Sequence, residues 1–158
     1  MKVELPEVTA QTLGAVCKLD AEANDYVAPN VYSIAQAYFH PEAWFRAIYA
    51  DGEPVGFVML EDRSLRTDPP PEPCVLLWRY MVHKPRQRQG LGRAALQLVI
   101  ADVRRRHPTL KTFITSCMPG PQSPRAFYES LGFVATGEKD EDEDILVLDL
   151  TQPSGRAR

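Results

Sequence analysis

A strand, a glycine-containing turn and a long helix follow one another in the middle of the chain, and this succession constrains the fold most. Residues 74–83 (CVLLWRYMVH) form the longest run of β-branched and aromatic residues and predict a buried strand. Residues 87–92 (QRQGLG) make the turn, and apolar side chains at helical spacing over residues 96–103 predict the helix. Such a helix usually returns the chain to a neighbouring parallel strand. The chain is therefore predicted to contain one β-α-β crossover.

The rest of the chain predicts a mixed, mostly antiparallel sheet around this crossover, and the predicted fold class is α/β (α+β). Asp51-Gly52 separates two strand-like runs and is a strong hairpin signal. Asn30 or Ser33 is expected to cap the second helix. The further predicted strands cover residues 3–9, 44–50, 54–60, 111–117, 132–138 and 145–150, and the further helices cover residues 10–20, 30–39 and 123–131. The order β-α-α-β-β-β-α-β-α-β-β gives about seven strands and about four helices.

Length and charge exclude several classes of protein. The 158 residues suit a single domain, predicted over residues 1–150, with a flexible tail over residues 151–158. The net charge of 18 − 21 = −3 argues against general nucleic-acid binding, which needs a dominant positive field. No apolar stretch approaches the ~18 residues of a bilayer span, and no secretory signal opens the chain. We therefore expect a soluble intracellular domain with neither nucleic acid nor membrane as a partner.

The cysteines point to the same compartment. Cys17, Cys74 and Cys117 are far apart and odd in number, so they cannot form a closed disulfide framework. They also lack the spacing of metal ligands, and no metal site is predicted. Free thiols of this kind are typical of a reducing cytosol, and the predicted location is cytoplasmic.

The glycine turn is suited to hold a phosphate group. Backbone N–H groups converge at the N-terminus of the following helix, and glycine lets a ligand approach the backbone closely. Four basic residues and no carboxylate occur between Lys84 and Arg93, an unusual local charge for an acidic chain. The alternative is an ordinary strand-to-helix turn with solvated arginines. The pattern Gly90-x-Gly92-x-x-Ala95 formally matches a dinucleotide-binding loop, but the remaining chain is too short for a Rossmann domain.

Two motifs give the chain a resemblance to a known superfamily. The first is Gln87-x-x-Gly90-x-Gly92 after a strand, and the second is the segment 126–133 (AFYESLGF) after the next strand. Together they resemble the GCN5-related N-acetyltransferase (GNAT) superfamily, over residues 1–150. A closer likeness to bacterial spermine/spermidine N-acetyltransferases is carried by residues 26–38, 54–59 and 136–138.

This resemblance implies a site for acetyl-CoA beside a bulged central strand. In the superfamily the bulge splays the strand from its neighbour, here around Thr115 and Ser116, and opens a V-shaped slot. Backbone groups of residues 80–82 would pair with the pantetheine arm, and N–H groups of residues 88–93 would hold the pyrophosphate. The implied cofactor-binding residues are Tyr80, Met81, Val82, Gln87, Arg88, Gln89, Gly90, Leu91, Gly92, Arg93 and Phe127.

The resemblance also implies direct attack of an amine on the thioester in a ternary complex. Tyr128 stands where family members place a tyrosine acid that protonates the departing thiolate, although a tyrosine on a short helix can also serve only in packing. The central strand offers no carboxylate base; His83 is one candidate, and Asp20, Glu22 or a water chain are equally open. Pro121 replaces an asparagine that contacts the cofactor in many members, which leaves a non-catalytic acyl-CoA-binding or sensing protein as the alternative.

The acceptor implied by the closer likeness is a polyamine, spermidine or spermine. Residues 138–144 hold six carboxylates and one lysine, a charge that can steer a polycation, unless they form only a solvated hairpin tip. Another small amine or a protein amine is the alternative acceptor, and a homodimer is common in the superfamily. The predicted substrate-binding residues are Asp20, Glu22, Tyr26 and Tyr32, with Asp25 nearby.

Overall fold

The architecture is given by a computed structural model, which describes residues 1–22 and 28–152. The strands are β1 (Val3–Glu4), β2 (Ala43–Ala50), β3 (Glu53–Asp62), β4 (Val75–Val82), β5 (Thr112–Cys117), β6 (Val134–Asp140) and β7 (Glu143–Asp149). The helices are α1 (Leu13–Cys17), α2 (Asn30–Tyr38), α3 (Leu91–Arg106) and α4 (Arg125–Ser130), with 3-10 turns at Arg63–Leu65 and Lys84–Arg86. This succession confirms the predicted fold class. None of the described helices is long and apolar enough to cross a bilayer.

The strands form one mixed sheet of seven strands in the order β1-β2-β3-β4-β5-β7-β6. Among the described strands only β4 and β5 run parallel, and α3 makes the crossover between them. The other neighbours are antiparallel. The N-terminus of α3 consequently lies beside the end of β4, in the middle of the sheet.

Each face of the sheet carries its own apolar layer. Leu96 and Val99 of α3 pack with Phe113 on one face, and α4 adds Tyr128 to the same layer. On the other face, Val16 of α1 packs with residues of β2, β3 and β4, and α2 adds partly buried side chains. Strand β4 therefore sends side chains into both layers.

Strand β4 bulges in its middle and then separates from β5. The pairing with β3 passes from Leu77 to Arg79, so Trp78 is an extra residue without a partner. The parallel pairing with β5 stops at Leu77 and Thr115. A bulge bends its strand and increases the local twist, which carries residues 78–82 away from β5. The bulge and the splay that the resemblance implied are confirmed, and we call the gap between residues 78–82 and 116–117 the β4–β5 cleft.

The predicted cap of α2 is wrong. Pro29 is the N-cap, and no side chain in the described part of the chain caps this helix. The side chain of Asn30 is buried instead, and its Nδ2 donates a 2.9 Å hydrogen bond to the carbonyl oxygen of Val16. Ser33 is fully buried as well. Packing of α2 against α1 has overruled the capping preference of these residue types.

Local sequence predicts the turn between β2 and β3 correctly but not the length of β1. The hairpin at Asp51-Gly52 is confirmed, with φ of 51° and 82°, as a type I′ turn requires. In contrast, β1 covers only residues 3–4 of the predicted 3–9. Pro6 lacks the backbone N–H that would donate to β2, although its carbonyl accepts a 3.0 Å hydrogen bond from Ala47.

A buried carboxylate joins the end of β3 to the end of α3. Asp62 is 1% exposed; its Oδ2 lies 2.9 Å from Arg106 Nη1 and 2.9 Å from His107 Nε2, and its Oδ1 accepts a 2.6 Å hydrogen bond from the Ser64 hydroxyl. Burial alone would raise the pKa of Asp62, but these hydrogen bonds and the neighbouring positive charges lower it below its ordinary value. The folded state therefore favours the ionised carboxylate.

Replacing Asp62 with Asn should lower the free energy of unfolding at pH 7 by about 3–5 kcal/mol, because Arg106 and His107 lose a buried partner. The lowered pKa means that this contribution is present above the unfolded pKa and is lost as the pH falls through the folded pKa. Urea denaturation of both proteins at pH 7 and at about pH 3 measures the change. A difference of equal size at both pH values would contradict the role of the charge.

Candidate active site

The turn between β4 and α3 presents the backbone of a helix N-terminus. Gly90 is the N-cap with a φ of 81°, in the left-handed region that favours glycine, and Arg88 has a φ of 61°. Among the described residues no side chain caps α3, and its first turn has no acidic residue. The N–H groups of residues 91–93 therefore remain available to an anion.

The second half of β4 is tied to this turn. The Tyr80 hydroxyl donates a hydrogen bond to the carbonyl oxygen of Gly92, and its ring stacks on Phe127 with 6.2 Å between centroids. Burial raises the pKa of Tyr80 far above its ordinary value, so the phenol stays protonated. A Cβ on Gly92 would lie 3.5 Å from Val82 Cγ2 and 3.6 Å from Phe127 Cζ. The structure thus brings these four predicted residues together.

Gln87 connects the turn to the segment that follows α1. Its Nε2 donates hydrogen bonds to the carbonyl oxygens of Val82, at 2.8 Å, and of Ala21, at 3.4 Å. The side chain therefore holds the end of β4 against a loop on the other side of the sheet.

The remaining predicted cofactor residues offer mainly backbone. The side chains of Met81 and Leu91 are buried, so only their main chain can meet a ligand. The guanidinium of Arg93 donates a 3.3 Å hydrogen bond to the carbonyl oxygen of Ser130 in α4. Gln89 accepts a 3.3 Å hydrogen bond from Arg86 within the turn.

Tyr128 lies in the layer between α4 and β5. It is 6% exposed, and its ring lies 5.5 Å from the rings of Phe127 and Phe133. Burial raises the pKa of Tyr128 to about 12, while the Thr115 hydroxyl acts in the opposite direction. Tyr128 is therefore a neutral proton donor at physiological pH, on the α3–α4 face beside the strand that borders the cleft.

His83 is placed as a connection between β4 and the segment after α1. Its Nδ1 accepts a 3.0 Å hydrogen bond from the N–H of Asp20, and the N–H of Lys84 donates to the carbonyl of Asp20 at 2.7 Å. In that tautomer Nε2 carries the hydrogen; in the other tautomer Nδ1 donates to the carbonyl oxygen of Asp20 at 3.1 Å and the Nε2 lone pair is free. The role of His83 as a base stays a prediction.

Two of the four predicted acceptor residues line one cavity. Asp20 and Glu22 line a cavity of about 630 Å³ together with Met81, and Asp20 Oδ1 accepts a 2.8 Å hydrogen bond from the N–H of Glu22. Tyr32 is 57% exposed on α2. Tyr26 and Asp25 lie outside the described residues.

Two charged side chains beside the cleft were missed as site residues. Arg79 of β4 donates from Nη2 to Gln36 of α2 at 3.3 Å, which places it on the α2 face. Asp144 bonds Arg125 of α4 at 3.5 Å, so Glu143, one residue earlier in β7, lies on the opposite, α2 face. An arginine inside the longest apolar run was a signal for Arg79. Glu143 was hidden among the six carboxylates of residues 138–144.

The comparison with protein families decides the affiliation. The profile of the acetyltransferase (GNAT) family matches residues 14–133, a stretch that includes the cleft, the glycine turn and α4. The chain belongs to the acetyltransferase (GNAT) family. The protein is accordingly an acetyltransferase, which favours an enzyme over a non-catalytic acyl-CoA-binding protein.

Solved structures of other acetyltransferases share this GNAT fold. The chain is 17% identical to an acetyltransferase from Thermus thermophilus, with a TM-score of 0.71 over 94% of this chain and 97% of the other. A GNAT family acetyltransferase from Elizabethkingia anophelis with acetyl-CoA bound is 15% identical, with a TM-score of 0.62 over 93% and 97%. The ribosomal-protein-S18-alanine N-acetyltransferase from Escherichia coli is 18% identical, with a TM-score of 0.64 over 97% of both chains. No curated protein sequence matches, and the spermine/spermidine likeness stays a prediction.

Replacing Gly90 with Ala tests the anion site of this GNAT protein. Alanine resists a φ of 81°, so the N–H groups that follow should move and affinity for CoA should fall about tenfold. Titration calorimetry with CoA measures this. Gly52→Ala is a matched control, because Gly52 has a φ of 82° and, like Gly90, open space at its Cβ position. Unchanged CoA affinity in a folded Gly90→Ala protein would contradict the site.

Proposed function

We propose that this GNAT protein transfers the acetyl group of acetyl-CoA to a primary amine by direct attack in a ternary complex. The β4–β5 cleft carries the proposal. In the described chain, β4 and β5 do not pair with each other beyond Leu77 and Thr115, whereas β4 stays paired with β3 as far as Val82. The cleft lies beside an anion-binding helix N-terminus and has a carboxylate on its other side. This arrangement suits a reaction between a phosphate-bearing thioester and an amine.

The residues along the cleft fit the donor. Residues 80–82 pair with β3 on one side only, so their β5-facing backbone groups can pair with an extended amide chain. The N–H groups of residues 91–93 suit the pyrophosphate. Pro121 cannot replace the side-chain contact of an asparagine, and backbone groups would carry the binding.

When bound, acetyl-CoA supplies a thioester: a C–N bond forms at its carbonyl carbon, the C–S bond breaks, and the alkylammonium releases one proton to solvent overall. The products are an N-acetylamine and the CoA thiol. The N–H of Val82 is proposed to polarise the thioester carbonyl.

Tyr128 is proposed as the group that meets the departing sulfur. With a pKa of about 12 the phenol is a weaker acid than a thiol, whose ordinary pKa is about 8.5. Complete proton transfer from Tyr128 is therefore uphill, and a hydrogen bond to the developing thiolate accounts for most of its effect. The packing of its ring in the α4 layer holds the hydroxyl in place.

Replacing Tyr128 with Phe should lower kcat by roughly 10²-fold or more, because only the hydroxyl donor is lost. The ring contacts with Phe127 and Phe133 remain, so the urea midpoint should change little. Tyr49→Phe, on β2 and away from the cleft, is the matched control. Wild-type turnover in Tyr128→Phe would assign Tyr128 to packing alone.

Glu143 is proposed as the base that accepts the ammonium proton. An alkylammonium has a pKa of about 10, so only a small fraction of the amine is free at pH 7. Glu143 is half-buried, and in the described chain no ion pair engages it. Its charge acts to raise the pKa of Arg79 and Cys117, which border the cleft, and that of Tyr128 on the other face of β5.

Replacing Glu143 with Gln should lower kcat/KM at pH 7 by about 10²-fold, the usual scale of general base catalysis. The remaining activity should rise steeply between pH 7 and 9, because the variant depends on amine that is already deprotonated. The pH profile of the thiol-release rate measures both effects. Glu129→Gln, an exposed carboxylate on α4, is the control. A uniformly slower enzyme with the wild-type pH profile would remove Glu143 from this role.

The polyamine acceptor is one candidate within this function. Exposed carboxylates of residues 138–144 support it, but exposed pairs contribute only about 0–1 kcal/mol each and are screened by salt. Asp144 is also partly neutralised by Arg125 and Lys139, each at 3.5 Å. Another small amine or a protein amine is the second candidate; the matched Escherichia coli enzyme is described as acting on an alanine of a ribosomal protein. We also propose a cytoplasmic location and a homodimer.

A screen for CoA thiol release tests the function directly. Acetyl-CoA is offered with spermidine, spermine, amino acids and simple alkylamines, and we expect at least one amine to exceed the hydrolysis background. If acetyl-CoA binds but no amine reacts, the proposed function is wrong.

A further inference from the structure

Arg79 and Glu143 stand on opposite sides of the β4–β5 cleft, on the same face of the sheet. Leu77 pairs with Thr115 in parallel register, so Arg79, two residues later, is near the level of Cys117. Cys117 pairs in turn with Asp144, the neighbour of Glu143. The bulge at Trp78 directs Arg79 towards α2, and the alternation of β7 directs Glu143 to that face as well.

The guanidinium of Arg79 is half-buried without a carboxylate partner. Its Nη1 donates to the carbonyl of Trp78 at 3.1 Å and its Nη2 donates to Gln36 at 3.3 Å, and both acceptors are neutral. Its buried Nε has no hydrogen-bond partner. No ion pair among the described residues includes Arg79, although a buried charge is costly unless it is paired. The cation is thus available to an anion.

The two charges are close enough to influence each other but do not neutralise each other. The charge of Glu143 opposes the lowering that burial causes in the pKa of Arg79, and Tyr32 of α2 acts in the same sense. No ion pair within 4.0 Å joins Arg79 to Glu143 in the described chain. A molecule with both a positive and a negative group can fill the space between them.

We infer that the acceptor is an amine that also carries a carboxylate, an amino-acid-like zwitterion, with its carboxylate on Arg79 and its ammonium facing Glu143. This inference rests on the proposed function. Arginine binds carboxylates through charge-assisted, often bidentate hydrogen bonds. A polyamine would instead bring a second ammonium group beside Arg79, and like charges repel in a half-buried cleft. Glu143 then accepts a proton from this ammonium, and the amine that results attacks the thioester carbonyl.

The first measurement compares acids with their amides. The twenty common L-amino acids, their carboxamides and spermidine are offered with acetyl-CoA, and kcat/KM is measured for each. For the best amino acid we expect a value about 10- to 100-fold above that of its carboxamide, which keeps the primary amine and has no carboxylate. Equal values for acid and amide, or spermidine as the best acceptor, would overturn the inference and leave the acetyltransferase function intact.

The second measurement uses variants of Arg79. Arg79→Gln should lower kcat/KM for the best amino acid to that of its amide, while the amide itself is unaffected, and Arg79→Lys should retain part of the difference. The Arg79 guanidinium donates to the carbonyl of Trp78 and lies 5.4 Å from the centroid of its ring. Arg46→Gln is a matched control, because Arg46 likewise donates to the carbonyl of the preceding residue and lies 4.5 Å from the ring centroid of Trp44, but on β2. Equal losses for acid and amide in Arg79→Gln would mean a structural role and would overturn the inference.

Titration of acetyl-CoA into the wild-type protein and the variants distinguishes failure of the acceptor assignment from failure of the proposed function. We expect wild-type affinity for acetyl-CoA in Arg79→Gln, because Arg79 faces α2 and not the glycine turn. If acetyl-CoA binds and no amine of the panel reacts with the wild-type protein, the proposed function fails and the acceptor assignment fails with it.

Discussion

The extra residue in β4 determines the layout of this acetyltransferase. Because Trp78 has no partner on β3, the alternation of side chains between the two faces of the sheet shifts by one residue. The pairing of β4 with β5 ends at Leu77. Arg79 then faces α2, while Tyr80 packs towards α3. Without the bulge the two strands would continue to exchange hydrogen bonds, and the sheet would have no opening. The lost pairing is offset in part by the bond from the Tyr80 hydroxyl to Gly92, which secures the free half of β4 on the helix that follows it.

Most of the fold could be predicted from local patterns. Apolar periodicity and the Asp51-Gly52 turn specify elements through their own residues, and the element order follows from them. The ends of elements could not be predicted in the same way. Asn30 has the chemistry of a cap, but it donates to Val16, a residue of another helix, and no local pattern contains that contact. The short β1 likewise depends on where Pro6 meets β2.

The two sides of the proposed site also differ in how far local sequence can predict them. The proposed donor side depends on backbone geometry at Gly90, and a glycine in a strand-to-helix turn is visible in the sequence. The proposed acceptor side depends on a pair, Arg79 and Glu143, that only the sheet order brings together. Arg79 is distinctive in its apolar segment and Glu143 is not, but neither segment shows that the two residues face each other. The contact between His83 Nδ1 and Asp20 likewise joins residues 63 positions apart, and no local pattern contains it.

The amide of Gln87 has a consequence for how the two substrates affect each other. It bonds Val82, at the end of the donor-side strand, and Ala21, in the segment that borders the acceptor-side cavity, at 2.8 Å and 3.4 Å. A displacement of either backbone segment would strain one of these two hydrogen bonds, so the amide of Gln87 couples the glycine turn to the segment after α1. Because thermodynamic coupling is reciprocal, any effect of the bound donor on the affinity for the amine would be matched by an equal effect of the amine on the affinity for the donor.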